Sequence, residues 1–136
     1  MINELRAKIL SELQQIEGVA EIFDGIPQKF NGFPSIFFNF DRVESQNLDS
    51  NHNQRQYYFQ INIFQETTTL GNRQSELNLC DILDKILDKF DRSDLDGLAL
   101  KIDAVGGDVQ SVETESGPTL HAIVLLAIHS DFSLGM

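Results

Sequence analysis

Two aromatic segments separated by a polar run constrain the fold of this chain most strongly. Residues 33–40 read FPSIFFNF and residues 57–64 read YYFQINIF, whereas residues 45–56 contain one aliphatic and no aromatic side chain. Within the second segment, apolar and polar side chains alternate, which is typical of a strand with one buried face. The pattern therefore predicts two antiparallel strands, residues 35–43 and 57–63, joined by a long polar arm at approximately residues 43–57.

The polar arm has too few apolar side chains to offset the entropy lost if it packed on its own domain. Long hairpin connections of this kind in small domains are usually functional or disordered. We therefore expect the arm to contact a neighbouring subunit or another protein. The candidate interface residues are Val43, Glu44, Gln46, Asn47, Leu48, Asp49, Asn51, His52, Gln54 and Arg55.

The rest of the pattern indicates two helices and further strands. Apolar residues spaced by three or four predict a helix from residue 2 to about residue 16 and a second that follows Gly71-Asn72, with Asn72 as its N-cap, and runs to about Asp91. Short strands are expected over residues 19–23, 98–105, 109–115 and 120–128, with turns at Gly106-Gly107 and Gly117-Pro118. The last strand is apolar at successive positions, which predicts a central strand that is covered on both faces.

These elements predict the α+β class: an antiparallel or mixed sheet with two helices packed on it and a long β-hairpin arm. A chain of 136 residues fits one domain, residues 1–136. We expect residues 130–136 to form a flexible tail.

Charge and composition exclude several classes of function. The net charge is −11, from 21 acidic and 10 basic residues. Tight binding to nucleic acid requires Lys and Arg at the phosphates, so it is not expected here. The sequence has no apolar stretch near the length of a membrane span and no signal-peptide core at its N-terminus. The single cysteine, Cys80, fits a reducing compartment and is expected to pack as a small hydrophobic residue on a helix.

Two sequence patterns resemble metal sites, but neither has the ligands or the spacing that a metal site requires. Residues 92–103 have the glycine and two acids of a calcium loop in register, but Arg92 occupies the first position, which requires an acid, and Asp103 is short for the last. A helix end followed by a turn is expected instead. His121 and His129 should share one face of a strand at opposite ends, too far apart to bind one ion together. We expect no metal and no cofactor.

No arrangement of catalytic residues is evident. Asp84 and Asp88 lie one helical turn apart, as on an ordinary solvated helix face. The glycine pairs lack the following Lys-Ser/Thr of a phosphate-binding loop. We expect no catalytic residue and no enzymatic activity, although a small hydrolase remains an alternative if a polar triad assembles in three dimensions.

The chain resembles one protein family in the order of its elements and in four segments. These are Phe33-Pro34-Ser35-Ile36, the polar arm, the strand at residues 57–63 and the closing segment 121–128 (HAIVLLAI). The chain is similar, over about residues 1–130, to the tail terminator or tail-completion proteins of long-tailed, siphovirus-type bacteriophages. The resemblance implies a structural protein that is made in the host cytoplasm and lies at the head-proximal end of the virion tail. There it would form a ring, a hexamer in this family, that caps the tail tube and ends its polymerisation.

The implied partners are other copies of the chain, the tail tube protein and the head connector protein, with no membrane. DNA would pass through the ring without specific binding. The acids expected to face this lumen are Asp103, Asp108, Glu113 and Glu115. Two alternatives remain open: another head–tail connector component, or a soluble α+β module that binds a small molecule or peptide in an apolar pocket between helix and sheet.

Overall fold

Five strands form one mixed sheet, and two helices pack on it. The computed structural model describes residues 1–47, 52–68, 71–99, 101–114 and 117–133. The elements in chain order are α1 (Ile2–Leu13), β1 (Glu21–Asp24), β2 (Ser35–Asn47), β3 (His52–Glu66), α2 (Asn72–Asp91), β4 (Lys101–Thr114) and β5 (Gly117–Ser133). The sheet order is β1-β2-β3-β5-β4, with β1 parallel to β2 and every other pair antiparallel. The predicted α+β class is confirmed.

Both helices cover the same face of the sheet. The apolar stripes of α1 and α2 and one alternate set of strand residues form a single buried cluster. We call this side the helix face; its fully or nearly fully buried residues on β2, β3 and β5 are Ile36, Phe38, Tyr57, Phe59, Ile61, Ile63, Ala122, Val124, Leu126 and Ile128. The opposite side, which carries Tyr58, Gln60, Ile123, Leu125 and Ala127 as partly exposed residues, is the open face.

Strand β5 lies between β3 and β4, so its predicted central position is confirmed. The expectation that it is covered on both faces is wrong for the described residues, because both helices lie on the helix face. Its apolar side chains on the open face remain partly exposed. An apolar run indicates burial on both faces but does not say whether the second layer comes from the same subunit.

The described residues of the polar arm, up to Asn47 and from His52, are paired β-structure, contrary to the expectation that residues 45–56 lie outside the strands. Strand β2 continues to Asn47, and Asn47 pairs with Asn53 of β3. On its other side, β3 pairs with β5 as far as His52 and Ser133. Strand pairing satisfies the backbone polar groups of β3 from both sides, so the described part of the arm is held in place without burying many apolar side chains. The candidate residues Leu48, Asp49 and Asn51 lie outside the described residues.

The C-terminal segment also differs from the sequence expectation, because it pairs with β3. Residues 130–133, expected in a flexible tail, form the end of β5 and pair with the arm portion of β3. Ser130 is buried, and its hydroxyl donates a hydrogen bond to the Leu98 carbonyl at 2.5 Å. Residues 134–136 of the predicted tail lie outside the described residues.

The turn predicted at Gly106-Gly107 is a β-bulge inside one long strand. The register of β4 against β5 shifts between Gly106 and Val109, so that residues 107 and 108 lie opposite Ile123 alone. Glycine favours bulges because it has no Cβ to obstruct the local bend. The second predicted turn, at Gly117-Pro118, adjoins the β4–β5 hairpin, and Gly117 begins β5 with a φ of 98°.

Candidate interaction surfaces

An aromatic and amide cluster covers one end of the open face. The Phe64 ring stacks on His121 with centroids 4.3 Å apart, and Phe30 lies 4.8 Å from Phe64. The Asn62 amide donates to Asn39 Oδ1 at 3.4 Å, which leaves its own Oδ1 to accept from His121 Nε2 at 2.9 Å. Burial lowers the pKa of His121, in keeping with a neutral ring that donates from Nε2. These contacts hold the ring in place as part of the packing.

A charged cluster lies on β2 at the far end of the open face. The Arg42 guanidinium lies 4.0 Å from the centroid of the Tyr58 ring. Its Nε donates to Glu44 at 3.2 Å, and the Tyr58 hydroxyl donates to the other oxygen of Glu44 at 3.1 Å. Loss of solvation and the neighbouring Glu44 carboxylate raise the pKa of Tyr58. We call Arg42 and Glu44 the β2 charge pair; both side chains are more than half exposed, at 51% and 56%.

A second charged cluster lies on β4, at the other edge of the same face. Asp103 is 3.1 Å from His129 Nε2 and 3.4 Å from Lys101 Nζ. We call Lys101 and Asp103 the β4 charge pair; their side chains are 67% and 44% exposed. His121 and His129 therefore share the open face at opposite ends of the strand, as predicted.

The arm candidates divide between an exposed and a covered strand. On β2, Glu44 is exposed and Val43 is 44% exposed. On β3, Gln54 and Arg55 are partly buried, since β3 lies between β2 and β5. The remaining described candidates hold paired backbone positions next to the tip: Gln46 opposite Gln54, Asn47 opposite Asn53, and His52 opposite Ser133. The outer surface of the arm thus belongs to β2.

The acids predicted to face a lumen do not form one cluster. Asp103 pairs with Ala127 on the open face, whereas Glu113 pairs with Pro118 on the side of the helix face. In a regular strand, side chains alternate between the two faces, so residues 103 and 113 would lie on the same face. The bulge adds one residue to β4 and therefore places the two acids on opposite faces. Asp108 is one of the two residues in the bulge, and Glu115 lies outside the described residues.

The other chemical candidates have structural roles or lie in solvent. Asp96 of the calcium-like segment forms an ion pair with Lys8 at 2.7 Å, and its positive φ of 57° places it in a turn. Asp84 and Asp88 are exposed on α2, as expected. Cys80 lies on a helix, α2, as predicted, but it is exposed, so the prediction that it packs as a small hydrophobic residue is wrong. Within the described part of the chain, no group of three or more His, Cys, Asp or Glu residues could hold a metal ion.

A polar groove of about 730 Å³ lies between the C-terminal ends of the two helices. Lys89 bridges it by contacting Gln15 and Glu12 of the α1 end, the latter at 3.7 Å. Its lining is mainly charged, so it is not the apolar pocket that the binding-module alternative requires. Neither described helix combines the length and hydropathy needed to cross a membrane.

Sequence reasoning missed the two charge pairs. Their signal is nevertheless simple: opposite charges two residues apart, Arg42 with Glu44 and Lys101 with Asp103, lie on one side of an extended strand.

Comparison with known proteins supports the fold. No family model and no curated protein matches the chain. Among solved structures, the fold is similar to a chain of the virion of a native gene transfer agent (GTA) particle, with a TM-score of 0.54 and 11% sequence identity over 96% of both chains. A likeness at this identity shows a shared fold along nearly the whole length of each chain.

Proposed function

We propose that this chain is a structural virion protein that forms a ring on the end of a phage-type tail tube, ends its polymerisation and provides the surface for joining to the head. The observation that carries the proposal is the end-to-end fold similarity to a chain of a gene transfer agent virion. The element order that resembles tail terminators supports the finer assignment.

Two features of the subunit suit such a role. The arm projects a β-hairpin whose outer strand, β2, is open to a partner beyond residue 38 within the described residues. The apolar residues of β5 on the open face are covered by neither helix. A ring requires head-to-tail contacts between two different surfaces of each subunit, and exposed strand edges provide surfaces of this kind.

The decisive experiment measures tube length. Tail tube protein from the same genome is polymerised with and without the purified chain, and tube lengths and end structures are recorded by negative-stain microscopy. We expect the chain to shorten the tubes and to form a ring at one end. Unchanged lengths with bare tube ends would refute the capping role. Binding to the head connector without any change in tube length would indicate a neighbouring connector component instead.

The arm is tested in the same assay. A variant in which residues 48–52 are replaced by Asn-Gly joins the paired residues Asn47 and Asn53 through a favoured two-residue hairpin turn, and it should fold as the parent does but lose capping. The matched control is Asp84→Asn on the solvent side of α2, which should cap normally. Full capping by the shortened arm would remove the tip from the proposed interface.

A further inference from the structure

The sheet has two open edges whose charges match when one copy follows another. Along β2, only residues 35–38 pair with β1, so its outer edge from Asn39 to Asn47 has no described partner strand. Strand β4, at the opposite side, pairs with β5 alone among the described strands. Three of the five large hydrophobic side chains found exposed among the described residues, Val43, Val105 and Val109, lie on these two edges. Long exposed edges with apolar side chains are sites for pairing with another chain.

The strand directions permit the edges to join. Strands β2 and β5 run one way, and β3 and β4 run the other, because each neighbouring pair is antiparallel. A second copy placed beside the first in the same orientation therefore brings the part of its β2 that lies beyond Phe38 next to β4 in antiparallel alignment. The contact is limited to residues 101–105 of β4, because Gly106 falls in the row of Phe38, where β1 already pairs with β2. The contact is head-to-tail, as a ring requires.

The register across the sheet then determines which charges meet. Arg42 lies in one row with Tyr58, Ala127 and Asp103, and Glu44 lies in another with Gln56, His129 and Lys101. If the rows continue into the next copy, Arg42 of one copy lies opposite Asp103 of the other. By the same rule, Glu44 lies opposite Lys101. All four side chains are on the open face, where directly opposed residues have Cβ atoms about 4.5–5.5 Å apart.

The same charges disfavour other registers. A slip of two residues in one direction opposes Arg42 and Lys101, and a slip in the other direction opposes Glu44 and Asp103. Like charges directly opposite each other destabilise a strand pair. A slip of one residue turns the two side-chain sets to opposite faces. Because each copy carries a net charge of −11, copies repel at long range, and a contact between them needs such local complementarity.

We infer that copies of this chain associate by pairing β4 of one subunit with the outer edge of β2 of the next, in the register that sets Arg42 against Asp103 and Glu44 against Lys101. The inference rests on the proposed function, since it names the subunit contact of the ring. In the middle of the contact, Val43 of one copy lies opposite Ile102 of the other. This contact would bury the Val43 side chain, which is 44% exposed in the single chain.

Disulfide cross-linking tests the register directly. In a Cys80→Ser background, Glu44→Cys with Lys101→Cys should form a ladder of linked copies when the concentrated protein is oxidised. Within one chain these positions are three strand spacings apart, about 14 Å, so an internal disulfide cannot form. The matched control is Arg42→Cys with Lys101→Cys, which places the thiols on a diagonal and should cross-link about tenfold less. An equal ladder in the control, or monomers in both variants, would overturn the inference.

Charge exchange provides the second test. Arg42→Glu and Asp103→Arg, made singly, each oppose like charges and should raise the concentration for half-assembly about tenfold. The double variant restores opposite charges in reversed order and should return to within about twofold of the parent. Single variants that assemble normally, or a double variant as weak as the singles, would contradict the contact. Thermal melts of each variant establish that the monomer is folded.

The outcomes separate the two proposals. Tube capping by a chain that fails both tests would leave the proposed function in place and reject this edge contact. Register-specific cross-linking by a chain that leaves tubes uncapped would retain the contact and reject the capping role.

Discussion

Replacement of neighbouring phenylalanines on β2 would measure how unequally the two faces of the sheet are packed. Phe38 is completely buried on the helix face, whereas Phe37, the next residue, lies partly exposed on the open face. Phe38→Ala removes a full aromatic side chain from the core and leaves a cavity, at a cost of about 3–5 kcal/mol. Phe37→Ala loses partial burial and the stacked contact with Phe64 at 5.6 Å, about 1 kcal/mol.

The expected difference of about 3 kcal/mol corresponds to about 10 °C in melting temperature for a domain of this size. Urea unfolding followed by circular dichroism, at a concentration low enough to keep copies apart, gives both free energies of unfolding. The slope of the transition should be the same in both variants, which shows that each still unfolds from the same compact state. Equal losses in the two variants would refute the conclusion that the helices bury one face only.

Two further predictions concern titration and charge. The folded pKa of His121 lies below its unfolded value because burial disfavours the charged ring, so the unfolded chain binds more protons and stability should fall as the pH drops through about 6.5. His121→Gln should reduce that loss of stability, measured as urea midpoints at several pH values. An unchanged dependence of the midpoint on pH in His121→Gln would contradict the assignment. We also predict that an acidic lumen keeps DNA from adhering to the ring, so neutralisation of the acids outside the β4 charge pair should slow DNA release from particles. The substitutions are Asp108→Asn, Glu113→Gln and Glu115→Gln. Normal infectivity of particles with all three substitutions would count against this prediction.

The features that follow from local periodicity were predictable. The apolar stripe of α2 predicted the helix and its end near Asp91, although the N-cap is Gly71 and not Asn72. The alternation in residues 57–63 predicted the buried side of β3. Each pattern depends only on the geometry of one helix or strand, so a few neighbouring residues are enough to reveal it. The uniformly apolar β5 was likewise recognisable as a central strand.

The features that depend on contacts between distant residues were not predictable in this way. The polar side chains of the arm predict that it does not pack on its own domain. Its described part is nevertheless held by pairing with the end of β5, more than 70 residues away in sequence. The bulge at residues 107 and 108 is invisible in a glycine pair that equally suits a turn, yet it places Asp103 and Glu113 on opposite faces.

Composition and short-range periodicity therefore account for the two helices, the apolar strand segments, the α+β class, the net negative charge and the lack of a recognisable catalytic motif in the sequence. Tertiary structure alone decided which face of the sheet the helices cover, which strand edges stay open and which residues share a row. Rows across a sheet are set by the register of three separate strand pairs. Only that register aligns Arg42 with Asp103, and Glu44 with Lys101, at opposite edges of the sheet.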